Sequence, residues 1–316
     1  MKKLFLFITV IIPIFSFGQT TNKIFRKALK ATNSKEKIEL FTKIIELEPK
    51  NFDAYFYRAI AKNDLGDYYG AITDYSKIIV YEPDADIYYN RGNSKYSIQD
   101  YDGAKEDYSE ALKLDSDFTD ALYNLACTKY LLDDFVGAIL DLNSVINVAP
   151  NQSHIYIQRA NAYLALKKYK VALKDFSMAV LIDPNANTYY NRGVTYLDIY
   201  YYKKANTDFS RAIRFNPSDV SSYFYRGTTF LLLGKYNKAL SDFLTTLKYD
   251  ALDYETLLGL ALTYYKMDDL ENAKSNFKKA KELLTTDDNI ELFVDTFWYK
   301  KQYYFFKENL KNLNKL

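Results

Sequence analysis

Apolar and polar positions fall along this chain as paired helical stripes separated by short polar breaks. The clearest copy is ANTYYNRGVTYLDIYYYKKANTDFSRAIRFNP, from Ala186 to Pro217. Tyr189, Tyr196 and Leu197 mark one apolar face; after a break, Phe209, Ala212 and Ile213 mark a second. Spacings of three, four and seven residues are those of an amphipathic helix. The unit therefore predicts two helices of roughly thirteen residues joined by a tight turn. Pro217 ends the second helix because it has no amide hydrogen to give. Small residues at the eighth and twentieth places, Gly193 and Ala205, let the two helices approach closely. One such hairpin cannot bury both apolar faces by itself, so each unit needs neighbours.

Those neighbours are present. The twentieth-place residue recurs as Ala71, Ala104, Ala138, Ala172, Ala205, Ala239 and Ala273, a near-constant period throughout. Such regularity means a stacked repeat array. Eighth places read Ala59, Gly92, Ala126, Ala160, Gly193, Gly227 and Ala261. A large apolar residue follows each alanine by four: Tyr75, Tyr108, Leu142, Phe176, Phe209, Phe243 and Phe277. Pro83, Pro150, Pro184 and Pro217 close four of the units.

On these residues the chain resembles the tetratricopeptide-repeat family over roughly residues 20 to 286. It departs from the family at Ser116, Ala251 and Thr285, where proline is usual, and at several seventh places, where Arg replaces leucine. The resemblance implies an all-α, right-handed superhelical solenoid of antiparallel helix hairpins, with about seven full repeats between degenerate caps. It also implies protein–protein interaction as the function.

Taken in order, residues 1–18 have the layout of a secretory signal peptide. Lys2 and Lys3 precede an apolar run from Leu4 to Phe17, and Ser16 and Gly18 precede an expected cut before Gln19. The run is interrupted by Pro13 and is shorter than the ~20 residues a spanning helix needs. No later stretch is apolar enough to span a membrane. The chain is thus expected in the cell envelope, most simply the periplasm, with secretion or outer-envelope association as variants. Residues 19–51 read as a degenerate N-terminal capping repeat. Seven fuller repeats occupy 52–286, starting near Phe52, Ala85, Thr119, Ser153, Ala186, Val220 and Tyr254. Residues 287–316, rich in aromatics such as Trp298, Phe305 and Phe306, read as a capping helix or helix pair, or alternatively as a docking helix.

Charge adds one feature. Loss of Lys2 and Lys3 with the leader brings the 42 basic side chains level with the 40 acidic ones, so nothing draws the whole chain toward nucleic acid. Yet residues 51–150 hold 18 acidic against 8 basic side chains, and residues 151–253 hold 8 against 14. Either this is drift on solvated faces or a partner has the opposite polarity.

A second periodic pattern lies inside the repeat. Seventh places carry Arg58, Arg91, Arg159, Arg192 and Arg226, with Leu125 and Leu260 in the other two units. Sixteen residues after each Arg stand Asp74, Asp107, Asp175, Asp208 and Asp242. Each Asp also precedes the next unit's seventh place by nearly the same separation, so pairing within or between hairpins is open. Either way a partly buried Arg–carboxylate ladder would fix how repeats stack.

The concave face of such a solenoid is lined by first helices. Fifth places there include Phe56, Tyr89, Tyr123, Tyr190 and Phe224, flanked by Asn90, Asn124, Asn191 and Tyr225, with Asn93 and Asn161 one turn on. Tyrosine supplies contact area and asparagine supplies both donor and acceptor, a combination suited to an extended peptide. The alternative is that these aromatics pack against their neighbours. A clamp for acidic C-terminal tails is argued against by Asp53, Asp86 and Asp120 at second places.

No enzyme signature emerges. His154 is the single histidine and Cys127 the single cysteine, so no intrachain disulfide forms and no histidine-rich metal site is built. Glycines fall at helix-contact or turn places such as Gly66 and Gly234, not in a phosphate loop. The expectation is a non-enzymatic, cofactor-free and metal-free protein-binding scaffold of the envelope. A structural subunit held through its convex face or C-terminal helix is the alternative.

Overall fold

The computed structural model describes residues 11–284 and 293–316, with side chains from Thr20 onward. Among the described residues there are helices and turns and no strand. They form two compact units, divided after Pro150. The first contains α1 (Ile11–Lys30), α2 (Ser34–Leu47), α3 (Phe52–Asp64), α4 (Tyr68–Ile79), α5 (Ala85–Ser97), α6 (Tyr101–Leu114), α7 (Thr119–Leu131) and α8 (Phe135–Val148). The second contains α9 (Ser153–Ala165), α10 (Tyr169–Ile182), α11 (Ala186–Asp198), α12 (Tyr202–Phe215), α13 (Val220–Leu232), α14 (Tyr236–Leu247), α15 (Tyr254–Lys266), α16 (Leu270–Leu284), α17 (Phe297–Lys301) and α18 (Tyr303–Leu313). Within each unit successive helices pack on one another, as a stacked array of hairpins requires.

Local chemistry accounts for the element boundaries. Asn51, Asp67, Asp84, Asp100 and Asp134 each accept a backbone N–H of the helix that follows, satisfying one otherwise orphaned donor. The turn inside each full hairpin passes through one left-handed residue. Gly66 and Gly234 take it without a Cβ clash, while Gln99, Asp133, Lys167, Tyr200 and Asp268 take it with one.

Packing explains the small residues. Ala71, Ala104 and Ala138 in the first unit and Ala172, Ala205, Ala239 and Ala273 in the second are fully buried. At Gly193 a Cβ would stand 2.9 Å from Phe209 Cε1, closer than real Cβ contacts come. The aromatic rings Tyr75, Tyr108, Phe176, Phe209 and Phe243 fill the hairpin interiors. Burying each contributes about 1.5–3 kcal/mol.

The expected boundary after Gly18 falls inside α1. Residues 1–10 of the expected leader lie outside the described residues, as do 285–292, which hold the junction expected near 286. Beyond it, Phe293, Trp298, Phe306 and Leu313 are buried in one cluster with Phe243, Leu258 and Phe277. Among the described residues no helix is long and apolar enough to cross a membrane.

Candidate functional site

The five arginines choose the aspartate of their own hairpin. Arg58 donates from Nε and Nη2 to the two carboxylate oxygens of Asp74 at 2.9 and 2.7 Å. Arg91–Asp107, Arg159–Asp175, Arg192–Asp208 and Arg226–Asp242 repeat the same two-pronged contact. The aspartates are buried and the guanidinium groups nearly so, where paired, planar hydrogen bonds are strongest. These bonds raise Arg192 and Arg226 above the ordinary arginine value.

The remaining guanidinium nitrogen links hairpins. Arg58 Nη1 donates to Thr42 Oγ1 at 3.1 Å and Arg91 Nη1 to Ser76 Oγ at 3.0 Å, both on the preceding hairpin's second helix. In the second unit Arg192 reaches Ser177 and Arg226 reaches Ser210, at 3.4 and 3.5 Å. Each guanidinium also lies over a ring three residues earlier: Tyr55, Tyr88, Tyr156, Tyr189 or Tyr223. These partners left two signals in the sequence. Where the seventh place is Leu125 or Leu260, the fourth is Leu122 or Leu257 in place of tyrosine, and the hydroxyl residues Ser76, Ser177 and Ser210 stand two after a ladder aspartate. The exception obeys the same logic. Beside Leu125, Asp141 turns to Lys129 at 2.6 Å and is more exposed, and Ser109 donates to the Lys105 carbonyl instead.

In the first unit the face of α5 and α7 carries a polar network. Asn93 Oδ1 accepts from Tyr108 Oη at 2.7 Å and from Asn124 Nδ2 at 2.9 Å; Asn124 Nδ2 also lies 3.3 Å from Tyr89 Oη. Asn90 donates to the Asp86 carbonyl at 2.7 Å. Tyr89 packs on Tyr108 and Phe118, and Phe56 on Tyr57 and Tyr75. Burial pushes the Tyr123 hydroxyl well above the usual phenol range. Phe56, Tyr89 and Tyr123 are half-buried: one side completes the hairpin and the other remains on the face.

In the second unit Tyr190 packs on Phe209 and Tyr225, while Asn161 and Asn191 hydrogen-bond along their own helices. Phe224 and Tyr225 meet the chain's own C-terminal segment. Phe297 packs edge-on against both, at 5.3 and 5.5 Å between centroids, and Trp298 sits 6.1 Å from Phe224. Sequence spacing assigns these two residues to an open groove; the chain's own C-terminal segment packs against them, and both are half-buried. Phe297 N–H donates to Glu255 Oε1 at 2.6 Å and Trp298 Nε1–H to the Glu255 carbonyl at 2.8 Å. Burial, reinforced by Asp253, raises the Glu255 carboxyl to about 7 despite the backbone N–H groups of Phe297 and Trp298 and the charge of Lys300. The repeat puts Glu255 at a second place, but its contacts have no periodic signal.

The docking-helix aromatics divide. Phe306 is buried, Phe305 half-buried, and Tyr304 exposed. Among the described residues no three His, Cys, Asp or Glu side chains converge in a metal-binding group.

Tetratricopeptide-repeat family models match residues 40–73, 85–118, 153–185, 186–219, 209–241 and 254–283. Similar solved folds include the C-terminal part of a TPR repeat-containing protein from Cytophaga hutchinsonii, 16% identical with a TM-score of 0.63 over 75% of this chain and 98% of that one. A tetratricopeptide repeat protein from Parabacteroides merdae is 18% identical, with a TM-score of 0.58 over 84% and 97%. YrrB, described as a TPR protein with an unusual peptide-binding site, is 24% identical, with a TM-score of 0.50 over 58% and 95%. No curated protein sequence matched this chain.

Proposed function

Because the chain belongs to the tetratricopeptide-repeat family, we propose that it is a non-catalytic scaffold that holds an extended segment of a partner protein on the face of α5 and α7. The observation that carries this reading is the Asn93–Asn124–Tyr89 network. It engages the acceptor of Asn93 and the donor of Asn124, and a ligand would use the complementary Asn93 N–H and Asn124 amide oxygen. Opposed donor and acceptor on a half-buried aromatic floor match the alternating N–H and C=O of a peptide backbone. YrrB, of similar fold, is described as having a peptide-binding site, which supports a peptide as the class of ligand. The acidic excess of residues 51–150 favours a basic partner segment.

The scaffold works in the cell envelope, most simply the periplasm. The leader-like arrangement of residues 1–18 supports this.

A photo-crosslinking phenylalanine analogue at Asn90 tests the face, with one at exposed Leu140 of α8 as control. A protein adduct specific to position 90 in intact cells is expected; equal adducts, or none, at both positions remove the proposal. N-terminal sequencing of the fractionated protein should begin at Gln19 in the envelope. Recovery of Met1 in the cytoplasm ends the envelope part alone.

A further inference from the structure

We infer that the face of α11, α13 and α15 is a binding site for a partner protein segment that carries an aromatic–tryptophan pair followed, three residues on, by a cation. The chain keeps that site filled with its own version, Thr296–Lys301. This goes beyond the α5–α7 reading, since it concerns different residues in the second unit.

Closing the end of the array explains α18 and the burial of Trp298, but not the reach of Phe297 and Lys301 onto earlier first helices. Phe306 and Leu313 of α18 complete the apolar cluster of α15 and α16, and Phe293 stacks on Phe277. The single-turn α17 also runs back over first helices. Phe297 lies against Phe224 and Tyr225 of α13, and Lys301 Nζ meets Asp198 at the end of α11 at 2.9 Å. A cap has no need to reach two hairpins back.

The floor is shaped for an indole. Gly259 occupies the sixth place of its repeat, where the other units carry Tyr57, Asn90, Asn124, Gln158, Asn191 and Tyr225. A Cβ there would stand 2.9 Å from Trp298 Cζ2 and 2.8 Å from Phe243 Cζ. The missing side chain is the slot, and Trp298 is fully buried in it.

Recognition uses features that any chain of this chemistry brings. One is a main-chain N–H for Glu255 Oε1, the second an indole N–H for the Glu255 carbonyl, and the third a cation for Asp198. The cis segment fills the site incompletely: Glu255 Oε2 is buried with no hydrogen-bond partner. A partner segment that adds a donor there gains an interaction the cis segment lacks, and so competes with it. A cis occupant lowers apparent affinity by the fraction of molecules it closes, without destroying the site.

The test uses the full-length chain and a labelled peptide DTFWYKKQ, residues 295–302, read by fluorescence anisotropy. Trp298→Ala empties the slot and should bind this peptide at least about tenfold tighter than wild type. Adding Gly259→Leu should abolish that binding, and replacing the peptide's last cation, equivalent to Lys301, by glutamate should weaken it several-fold. Lys301→Ala in the full chain removes only the exposed ion pair and should raise peptide affinity by about two- to threefold. A Trp298→Ala protein that keeps its helical circular dichroism yet binds no better than wild type overturns the inference. So does binding indifferent to Gly259→Leu. If Trp298→Ala does not fold, an unchanged affinity in Lys301→Ala overturns it. Wild-type dimers that disappear in Lys301→Ala would make a second copy the occupant and end the foreign-partner claim. Tyr89→Ala on α5 should leave peptide affinity unchanged, so failure here and failure of the α5–α7 face are told apart.

Discussion

Glu255 Oε1 lies 2.6 Å from the backbone nitrogen of Phe297, forty-two residues later in the chain. The contact ties the start of α15 to α17 and places a carboxyl in a desolvated setting. The groups facing it are Asp253 and Tyr254 at the start of its own helix, Tyr225 on α13 and Lys300 on α17, with Asp295 acting on the neighbouring Tyr254.

The first prediction follows from that carboxyl. Burial raises it from 4.5 to about 7, so the folded state holds a proton that the unfolded chain has lost. Stability from this group is full below about pH 4.5 and declines as pH rises through about 7, by at most ~3 kcal/mol. Trp298 is the only tryptophan, so its emission reports this contact alone. Emission should shift to longer wavelength between pH 5 and 8, and Glu255→Gln should flatten that dependence. A pH-independent wild-type emission would remove Glu255 as the titrating group.

A second prediction concerns the ladder. Arg192→Met leaves Asp208 buried without its fork and should cost about 3–5 kcal/mol, whereas Arg214→Met on an exposed site should cost less than ~0.5 kcal/mol. In a double-mutant cycle, Arg192 should couple with Asp208, whose oxygens it touches at 2.7 and 3.0 Å, and not with Asp175. Urea denaturation of the proteins in the two cycles measures it; coupling to Asp175 instead would contradict the geometry.

Helix approach gives a third. Ala205 is fully buried between α11 and α12, so Ala205→Leu must push the hairpin open, at a cost of about 1–3 kcal/mol. Lys203→Ala, on the exposed side of α12, should change stability by less than ~0.5 kcal/mol. Equal midpoints for the two variants in thermal melts would contradict the packing role of the small residue.

The fourth separates packing from binding among the face tyrosines. Tyr190 meets Phe209 at 6.2 Å and Tyr225 at 5.7 Å, so Tyr190→Ala should destabilise by about 3 kcal/mol, while Asn191→Ala should cost below ~1 kcal/mol. Calorimetry decides: a Tyr190→Ala protein as stable as wild type would show that the ring serves only outside partners.

Periodicity made much of this protein legible. Because one hairpin recurs along the chain at a near-constant period, a stripe such as Tyr189, Tyr196 and Leu197 is read several times over, and chance substitutions average out. The same redundancy exposed the sixteen-residue Arg–Asp spacing and held the tyrosine–arginine association that identifies the ring under each guanidinium. What spacing alone left open was which aspartate each arginine takes. For Arg192, Asp175 before it and Asp208 after it lie at nearly equal separations in the chain. Side-chain direction settles it: the fork closes on Asp208 from the same hairpin as Arg192, and only the third nitrogen of Arg192 extends to Ser177 of the hairpin before.

The C-terminal contacts had no such redundancy. Trp298 occurs once, its slot at Gly259 shows in the sequence only as a departure from the other sixth places, and Lys301 meets Asp198 from far along the chain. A helix records its own face in a local period, so the sequence by itself determined the hairpins, their small contact residues and the ladder chemistry. A one-turn segment lying across other helices leaves no period of its own. Which face stays open and which is covered was therefore decided only when the chain folded back and Trp298 found the one repeat without a side chain in its way.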